Sequence, residues 1–198
     1  MKRVVRRAIG MGLVATVAWL AIPGGGWAQA AKPASVGAVV QSPTPPDSIA
    51  RSQRGSVSQR IARTEVSLEY GRPVARGREL YGALVRWGRV WCPGADAATT
   101  FTTSTDILIN GETLAAGRYS LWTQPQQDQW TVIFSTVATA WHNRYPGARR
   151  DALRVKVTPR KGEHMESLAY YFPVVEGREA ELVLHWGTTV VPLSLEAP

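Results

Sequence analysis

The sequence predicts an all-β fold: a single-domain antiparallel β-sandwich or flattened barrel with one long irregular excursion rich in Arg, Gly and aromatic residues. Two observations support this prediction. Apolar and polar residues alternate with a period of two through much of the chain after residue 55, as side chains do on the two faces of a strand. Turn-forming residues separate these runs at short spacing, and no run has the 3.6-residue period of a convincing amphipathic helix.

The alternating runs can be placed in order along the chain. In residues 64–70, Val66, Leu68 and Tyr70 share one face of the predicted strand, and polar side chains occupy the other. The same period predicts further strands over residues 118–123, 129–135, 151–158, 181–186 and 191–195.

Turn signals join these strands. Asn110-Gly111 lies between two short strand runs and is the strongest hairpin signal, because both central residues of such a turn need positive φ. A helical turn or two is expected within residues 78–85. Further turns are expected at Ala116-Gly117, 125–128, 160–163 and Gly187-Thr188.

The composition is that of a globular protein. Of the 198 residues, 44% are hydrophobic and 19% are charged, which excludes the low hydrophobicity of disordered chains. The single Cys92 cannot form an internal disulfide, so stability must come from core packing. Cys92 is either a small buried hydrophobic residue, which is the commoner case, or a reactive thiol.

Residues 1–30 are predicted to be a secretory signal peptide. Four basic residues begin it, residues 8–22 carry no charge, and Ala28-Gln29-Ala30 places small residues where a signal peptidase cleaves. An uncleaved membrane anchor is the alternative, but the apolar run is shorter than the ~20 residues that a membrane helix needs. We therefore expect an exported protein, periplasmic or secreted, with no transmembrane anchor after cleavage.

Removal of the signal peptide changes the charge of the protein. The mature chain would have 168 residues, and its net charge would fall from +8 to +4 because four basic residues leave. A net charge of only +4 does not support nucleic-acid binding, because proteins that bind nucleic acids usually have a concentrated basic face. Residues 31–54, rich in Pro, Ser and Ala, are predicted to be a linker, and residues 55–198 are predicted to be the β-sandwich domain.

Residues 71–96 interrupt the alternation. A long irregular segment in a compact domain is usually functional or disordered, and the aromatic content argues against disorder. Arg72, Arg78 and Arg89 could converge on a carboxylate or phosphate, while Trp side chains offer flat faces to a sugar or aromatic ligand. The structural alternative, which we favour, is that these Arg residues pair with acids or bond loop carbonyls and hold the segment on the sandwich.

Three further features complete the candidate ligand site. Asp96 is the best single acidic candidate, although an acid at such a place more often caps a loop or pairs with Arg. Thr99 begins a hydroxyl-rich run over residues 99–105, expected to be an exposed strand or else a row of hydroxyls along a glycan groove. A second aromatic loop, residues 141–147, would form the site together with the excursion. The candidate ligand-binding residues are thus Arg72, Arg78, Arg89, Trp91, Asp96 and Thr99.

The sequence assigns no catalytic residue, metal ligand or cofactor. It has no Gly-x-Ser-x-Gly elbow and no Gly-rich loop leading from a strand into a helix, so neither a hydrolase triad nor a nucleotide site has local support. His142, His164 and His185 are too widely separated for a local zinc pattern. His185 is expected on the outer face of its strand, opposite Trp186.

Short motifs follow one another through the predicted domain. They include Tyr70-Gly71-Arg72-Pro73, Gly88-Arg89-Val90-Trp91, Ala97-Ala98-Thr99-Thr100, Ile109-Asn110-Gly111, Ala116-Gly117-Arg118-Tyr119-Ser120-Leu121, Trp130-Thr131-Val132-Ile133-Phe134 and Leu184-His185-Trp186. In this order the chain resembles DUF2911, a family of exported bacterial proteins, over roughly residues 55–195. The resemblance implies an exported β-rich domain and no established activity, substrate or catalytic residue.

The chain departs from that family pattern at two positions. Cys92 stands where Arg is usual, and Asp96 stands where Asn is usual. One positive group is lost and one negative group is gained. The resemblance therefore gives no support for an anion site at that corner.

The favoured hypothesis is an exported β-sandwich protein of unknown activity that binds a small anionic ligand or a glycan in the cell envelope. One alternative is a structural envelope component that binds a protein partner. The other is a hydrolase acting on an envelope polymer. We favour a non-enzymatic role because no catalytic motif is present and fold alone does not define function.

We expect cleavage after Ala30 when the full chain is expressed in a bacterium with a general secretion pathway. Intact-mass measurement of the exported protein should give a chain that begins at Ala31. An Ala28→Arg and Ala30→Arg double variant should remain uncleaved. Recovery of the wild-type chain with residues 1–30 still attached would contradict the prediction.

Overall fold

The computed structural model describes residues 51–198 of the chain. The predicted signal peptide, residues 1–30, lies outside the described residues, as does the predicted linker up to residue 50. The described part contains ten strands and one short 3-10 helix, Ala148–Arg150. The strands are Gln53–Ile61 (β1), Thr64–Arg72 (β2), Thr100–Thr103 (β3), Ile107–Ile109 (β4), Glu112–Leu114 (β5), Gly117–Gln124 (β6), Trp130–Ser135 (β7), Asp151–Val157 (β8), Arg160–Glu176 (β9) and Glu179–Glu196 (β10).

The strands form two separate antiparallel sheets. Six strands lie in the order β1-β2-β3-β6-β7-β8, and four lie in the order β5-β4-β10-β9. Every paired strand runs antiparallel to its neighbour. The β-sandwich predicted from the two-residue alternation is therefore confirmed. No helix in the described part of the chain is long and apolar enough to cross a membrane.

The main core lies between the sheets and is built by the alternating residues. On β2, Val66, Leu68 and Tyr70 are buried as predicted, and the residues between them are more exposed. Phe101 and Phe134 meet edge to face in the same core, with their ring centroids 5.1 Å apart. Burying such side chains contributes roughly 1.5–3 kcal/mol each, which accounts for a stable domain without a disulfide.

The predicted hairpin at Asn110-Gly111 is confirmed. Both residues have positive φ, 49° and 85°, in the two-residue turn between β4 and β5. The Asn110 side chain also connects the two sheets, since it donates to the Lys156 carbonyl on β8 and accepts from the Ser194 amide on β10. The turn therefore fixes both a strand register and the distance between the sheets.

The structure differs from the prediction in three segments: the turn at Gly187, the turn at residues 160–163 and the helical turn within residues 78–85. Gly187 does not separate two strands: it lies inside β10 with φ of 59°, where the pairing with β9 shifts register. A glycine with positive φ suits a β-bulge as well as a turn, and sequence alone does not distinguish the two. Residues 160–163 begin β9 instead of forming a turn, and residues 78–85 form hydrogen-bonded turns without a helix.

A second, smaller core covers the outer face of the six-stranded sheet. Trp122 of β6 and Ile133 of β7 point away from the main core, yet both are fully buried. Cys92 and Ala98, from the end of the excursion and the segment that follows it, cover them together with Tyr145 of the second aromatic loop. This packing explains why all six residues of β7 are buried on both faces.

The excursion begins at a close contact between two backbone segments. A Cβ atom added to Gly71 would overlap the Ala95 carbonyl oxygen and lie 2.9 Å from its carbonyl carbon. Only glycine lets the end of the excursion approach β2 this closely. Gly71 therefore determines where residues 94–95 lie.

We expect Gly71→Ala to lower the free energy of unfolding by about 1–3 kcal/mol, the usual cost of forcing extra volume into a packed site. Urea denaturation followed by tryptophan fluorescence measures the loss. Gly55→Ala on the neighbouring strand is the matched control, because its added Cβ would mainly meet the flexible Arg72 side chain. Equal stability losses in the two variants would contradict the argument.

Candidate functional site

The excursion, residues 71–96, connects the two sheets. At its start, the Leu168 amide of β9 donates to the Pro73 carbonyl, and the Ala75 amide donates to the Glu166 carbonyl. Near its end, Trp91 exchanges two backbone hydrogen bonds with Thr123 of β6, at 2.7 and 2.8 Å. The segment is therefore part of the fold rather than a free loop.

The excursion and the second aromatic loop enclose a cavity of about 280 Å³. Trp186 of β10 is 1% exposed and lies deep in this cavity, and Trp91 stacks on it with a centroid distance of 5.9 Å and an interplanar angle of 13°. The Trp186 indole nitrogen donates to the Glu166 carbonyl, which fixes the ring. The lining residues are Arg51, Ser52, Pro73, Val74, Arg76, Arg78, Leu84, Trp91, Gly94, Ala95, His142 and Trp186.

The charged side chains that line this cavity are all basic. They belong to Arg51, Arg76 and Arg78, and the lining residue His142 adds a side chain that can be protonated. Among the described residues, no carboxylate lines the cavity. Such an arrangement produces a positive potential that attracts anions. We call this cavity the arginine pocket.

Glu166 is an acidic residue next to the pocket-lining Arg76, and both of its carboxylate oxygens have hydrogen-bond partners. One Glu166 carboxylate oxygen accepts from the Arg76 amide at 2.6 Å, and the other lies 2.9 Å from the His164 ring nitrogen. The hydrogen bond with His164, followed by that from the Arg76 amide, lowers the pKa of Glu166. The negative charge of Glu166 also attracts the positive charge of Arg76, so this carboxylate offsets part of the positive charge beside the pocket without lining it.

Arg72 and Arg78 both bond to backbone carbonyls, which agrees with the structural alternative. Arg72 donates from Nε to the Leu168 carbonyl and does not line the pocket. Arg78 donates from Nε to the Ala75 carbonyl and from Nη2 to the Val74 carbonyl, at 2.9 and 2.6 Å. A guanidinium has five N–H donors, so Arg78 can hold the backbone and still offer donors to a ligand.

The other predicted site residues lie in different places. Trp91 lines the pocket, whereas Arg89 is exposed and does not. Asp96 is exposed, and its carbonyl accepts from both the amide and the ring Nδ1 of His142. Thr99 is fully buried and donates to the Pro93 carbonyl, so its hydroxyl does not line the pocket. Of the six candidates, the structure brings Arg78 and Trp91 together at the pocket. A ligand role for all six stays a prediction.

The expected exposure of residues 99–105 is wrong for most of the strand. Thr100 and Thr103 are buried together with Phe101, because neighbouring strands and the covering segments enclose β3. His185 lies on the strand face opposite Trp186, but it is also buried. Its ring bonds the Tyr171 hydroxyl and the Glu163 carbonyl, since the start of β9 covers that face.

Sequence reasoning missed four residues of the pocket: Arg51, Arg76, His142 and Trp186. Arg76 lies inside the Arg-rich excursion, and His142 lies inside the second aromatic loop, so the two segments were correctly expected to meet. Arg51 was assigned to the linker, and Trp186 looked like an ordinary core residue of a strand.

The two departures from the family pattern have structural explanations. Cys92, the first position expected to depart from the family pattern, is buried in the second core and does not line the pocket. Asp96 has φ of 63°, and Asn and Asp are the non-glycine residues that best tolerate this left-handed conformation. Neither substitution removes a basic group from the arginine pocket.

The geometry defines a class of protein: an antiparallel β-sandwich with an arginine-lined pocket made by an inserted segment. The chain belongs to the DUF2911 family, since the model of that family, described as a protein of unknown function, matches residues 52–195. Comparisons with curated proteins and with solved structures found no match. Among the described residues, no group of three or more His, Cys, Asp and Glu side chains could hold a metal ion.

We expect Cys92 to be unreactive at neutral pH and to make the fold sensitive to alkali. Burial raises the pKa of this thiol from 9.0 to about 11. The thiol therefore ionises in the unfolded chain before it does so in the folded one, and stability present below pH 9 is lost as the pH rises toward 11. Thiol labelling at pH 8 should proceed only after denaturation.

Cys92→Ala supplies the control for this effect. The free energy of unfolding of this variant should fall less steeply between pH 9 and 11 than that of the wild type, whatever its value at pH 7. Rapid labelling of the native protein, or identical pH slopes, would contradict the buried thiol.

Proposed function

We propose that the protein is an exported binding protein of the cell envelope whose arginine pocket takes a small anion built on a single ring, such as an acidic sugar or an aromatic carboxylate. One observation carries this proposal. Three arginines and a pair of stacked indoles line one cavity that no carboxylate lines among the described residues. The export of the protein rests on residues 1–30 alone.

The dimensions of the pocket suit a single ring. A cavity of about 280 Å³ lies near the lower end of ordinary ligand pockets, which range over roughly 300–1,000 Å³. Trp91 supplies a flat apolar surface, and guanidinium groups match the two oxygens of a carboxylate. A ring that carries one carboxylate would use both features at once.

Binding is better supported than catalysis at this place. Asp96, the best acidic candidate, does not line the pocket, and the carboxylate of Glu166 is held by partners outside it. The buried Cys92 does not line the pocket either. The geometry therefore offers donors and a stacking surface for a ligand but does not aim an acid or a nucleophile at it.

We expect Arg76→Ala to weaken the binding of an anionic ring by about 10–100-fold, because a hydrogen bond to a charged group contributes about 1.5–3 kcal/mol. Isothermal titration calorimetry with D-glucuronate, D-galacturonate and benzoate measures this, with D-glucose as the uncharged comparison. The fold should persist, since the one hydrogen bond of the Arg76 side chain to another residue in 51–198 is long, 3.4 Å, and goes to the Arg51 carbonyl.

Two other arginines supply the controls. Arg89→Ala should leave binding unchanged, because Arg89 lies outside the pocket lining. Arg78→Ala should weaken binding and also lower the melting temperature, because the Val74 carbonyl loses its side-chain donor and the Ala75 carbonyl keeps only the backbone amide of residue 78. The proposal fails if none of the anionic rings binds, or if they bind Arg76→Ala as tightly as the wild type.

A further inference from the structure

We propose that Trp87 and the turn between β6 and β7 form a second binding site, which takes a neutral sugar ring. This site is separate from the arginine pocket and does not rest on the function proposed for it. Five residues line a shallow depression of about 360 Å³: Trp87, Gln126, Gln127, Asp128 and Gln129.

Trp87 is an exposed aromatic ring whose orientation is fixed. Its side chain is among the few large apolar ones at the surface, with 40% of the residue exposed. It stacks on Tyr81, with a centroid distance of 6.1 Å and an interplanar angle of 29°. Tyr81 in turn packs edge to face on Trp91 and Trp130. A ring held in this way loses little conformational entropy when a ligand covers it.

The backbone around Trp87 is also fixed. A Cβ atom on Gly82 would lie 2.8 Å from the Trp87 indole nitrogen, so glycine is needed for the ring to lie where it does. The Gly88 amide donates to the Pro125 carbonyl, and the Gln124 side chain donates to the Gly88 carbonyl. These bonds hold the tryptophan loop against the turn that carries the polar residues.

The polar side chains of the turn are free to bind a ligand. Gln126, Gln127, Asp128 and Gln129 are exposed, and within residues 51–198 their side chains make no hydrogen bond or ion pair. Each amide can donate and accept, and the carboxylate can accept from two hydroxyls. Consecutive exposed polar residues are ordinary in a turn, but beside an oriented tryptophan they surround a flat apolar surface with hydrogen-bonding groups.

This combination matches the chemistry of a sugar ring. The C–H bonds on one face of a pyranose carry partial positive charge and suit the negative face of an indole, while its hydroxyls point outward to polar groups. Within the described part of the chain, Asp128 is the one charged residue that lines the depression, and its carboxylate favours a neutral ring over an acidic one. The arginine pocket has the opposite charge preference.

The test is isothermal titration calorimetry with neutral hexasaccharides: maltohexaose, cellohexaose, xylohexaose, mannohexaose and chitohexaose. We expect at least one to bind the wild-type protein with a Kd in the millimolar range or tighter. Trp87→Ala should weaken that binding by about tenfold or more, because the stacking surface is lost. Trp141→Ala is the matched control, since it removes another exposed tryptophan from a different loop, with 51% of that residue exposed.

A second variant guards against a folding defect in Trp87→Ala. The double change Gln127→Ala and Asp128→Asn lies on exposed side chains without partners, so it should keep the wild-type melting temperature and still weaken saccharide binding. The proposal is overturned if no hexasaccharide binds, or if both this variant and Trp87→Ala bind as the wild type does.

The same titrations separate this site from the arginine pocket. Arg76→Ala should bind the saccharide with the wild-type affinity. The Gln127→Ala and Asp128→Asn double variant should have the same affinity for glucuronate as the wild type. Saccharide binding that is lost in Arg76→Ala but kept in Trp87→Ala would place the sugar in the arginine pocket and overturn the second site.

Discussion

The arginine pocket depends on one interaction, the stacking of Trp91 on Trp186. Trp186 belongs to the core of the four-stranded sheet, and Trp91 belongs to the excursion. Because Trp91 also pairs with Thr123 of the six-stranded sheet, one residue is held by both layers of the sandwich. The excursion can therefore enclose a pocket while remaining an integral part of the core, and the aromatic contacts extend through Tyr81 to Trp87.

Much of the fold could be predicted because burial follows a local rule. Strand residues alternate between two environments, so β2 and the Asn110-Gly111 hairpin were identified from short stretches of sequence. Gly187 was misassigned because a bulge and a turn require the same backbone freedom. The burial of β3 was missed because it depends on what covers the strand, which lies far away in the sequence.

The candidate site was predictable in its location more than in its members. Composition drew attention to residues 71–96 and 141–147, and the structure brings these segments together. Which arginine holds the backbone and which faces the pocket depends on distances to carbonyl groups, and Arg72, Arg78 and Arg89 have identical chemistry in the sequence. Trp186 could not be identified because a core strand residue becomes a pocket wall only where the covering segment leaves a gap.

The contact between Tyr70 and Tyr170 has a consequence for how the molecule assembles. The Tyr70 hydroxyl accepts from the Tyr170 amide across 100 residues of chain, beside an edge-to-face contact of the two rings. Closing so long a loop is entropically costly, and chains dominated by such distant contacts fold slowly. The walls of the arginine pocket also come from segments far apart in the sequence, so the pocket is complete only when these segments have come together in the folded chain. A ligand of this pocket would bind only the fully folded chain and would stabilise it by mass action.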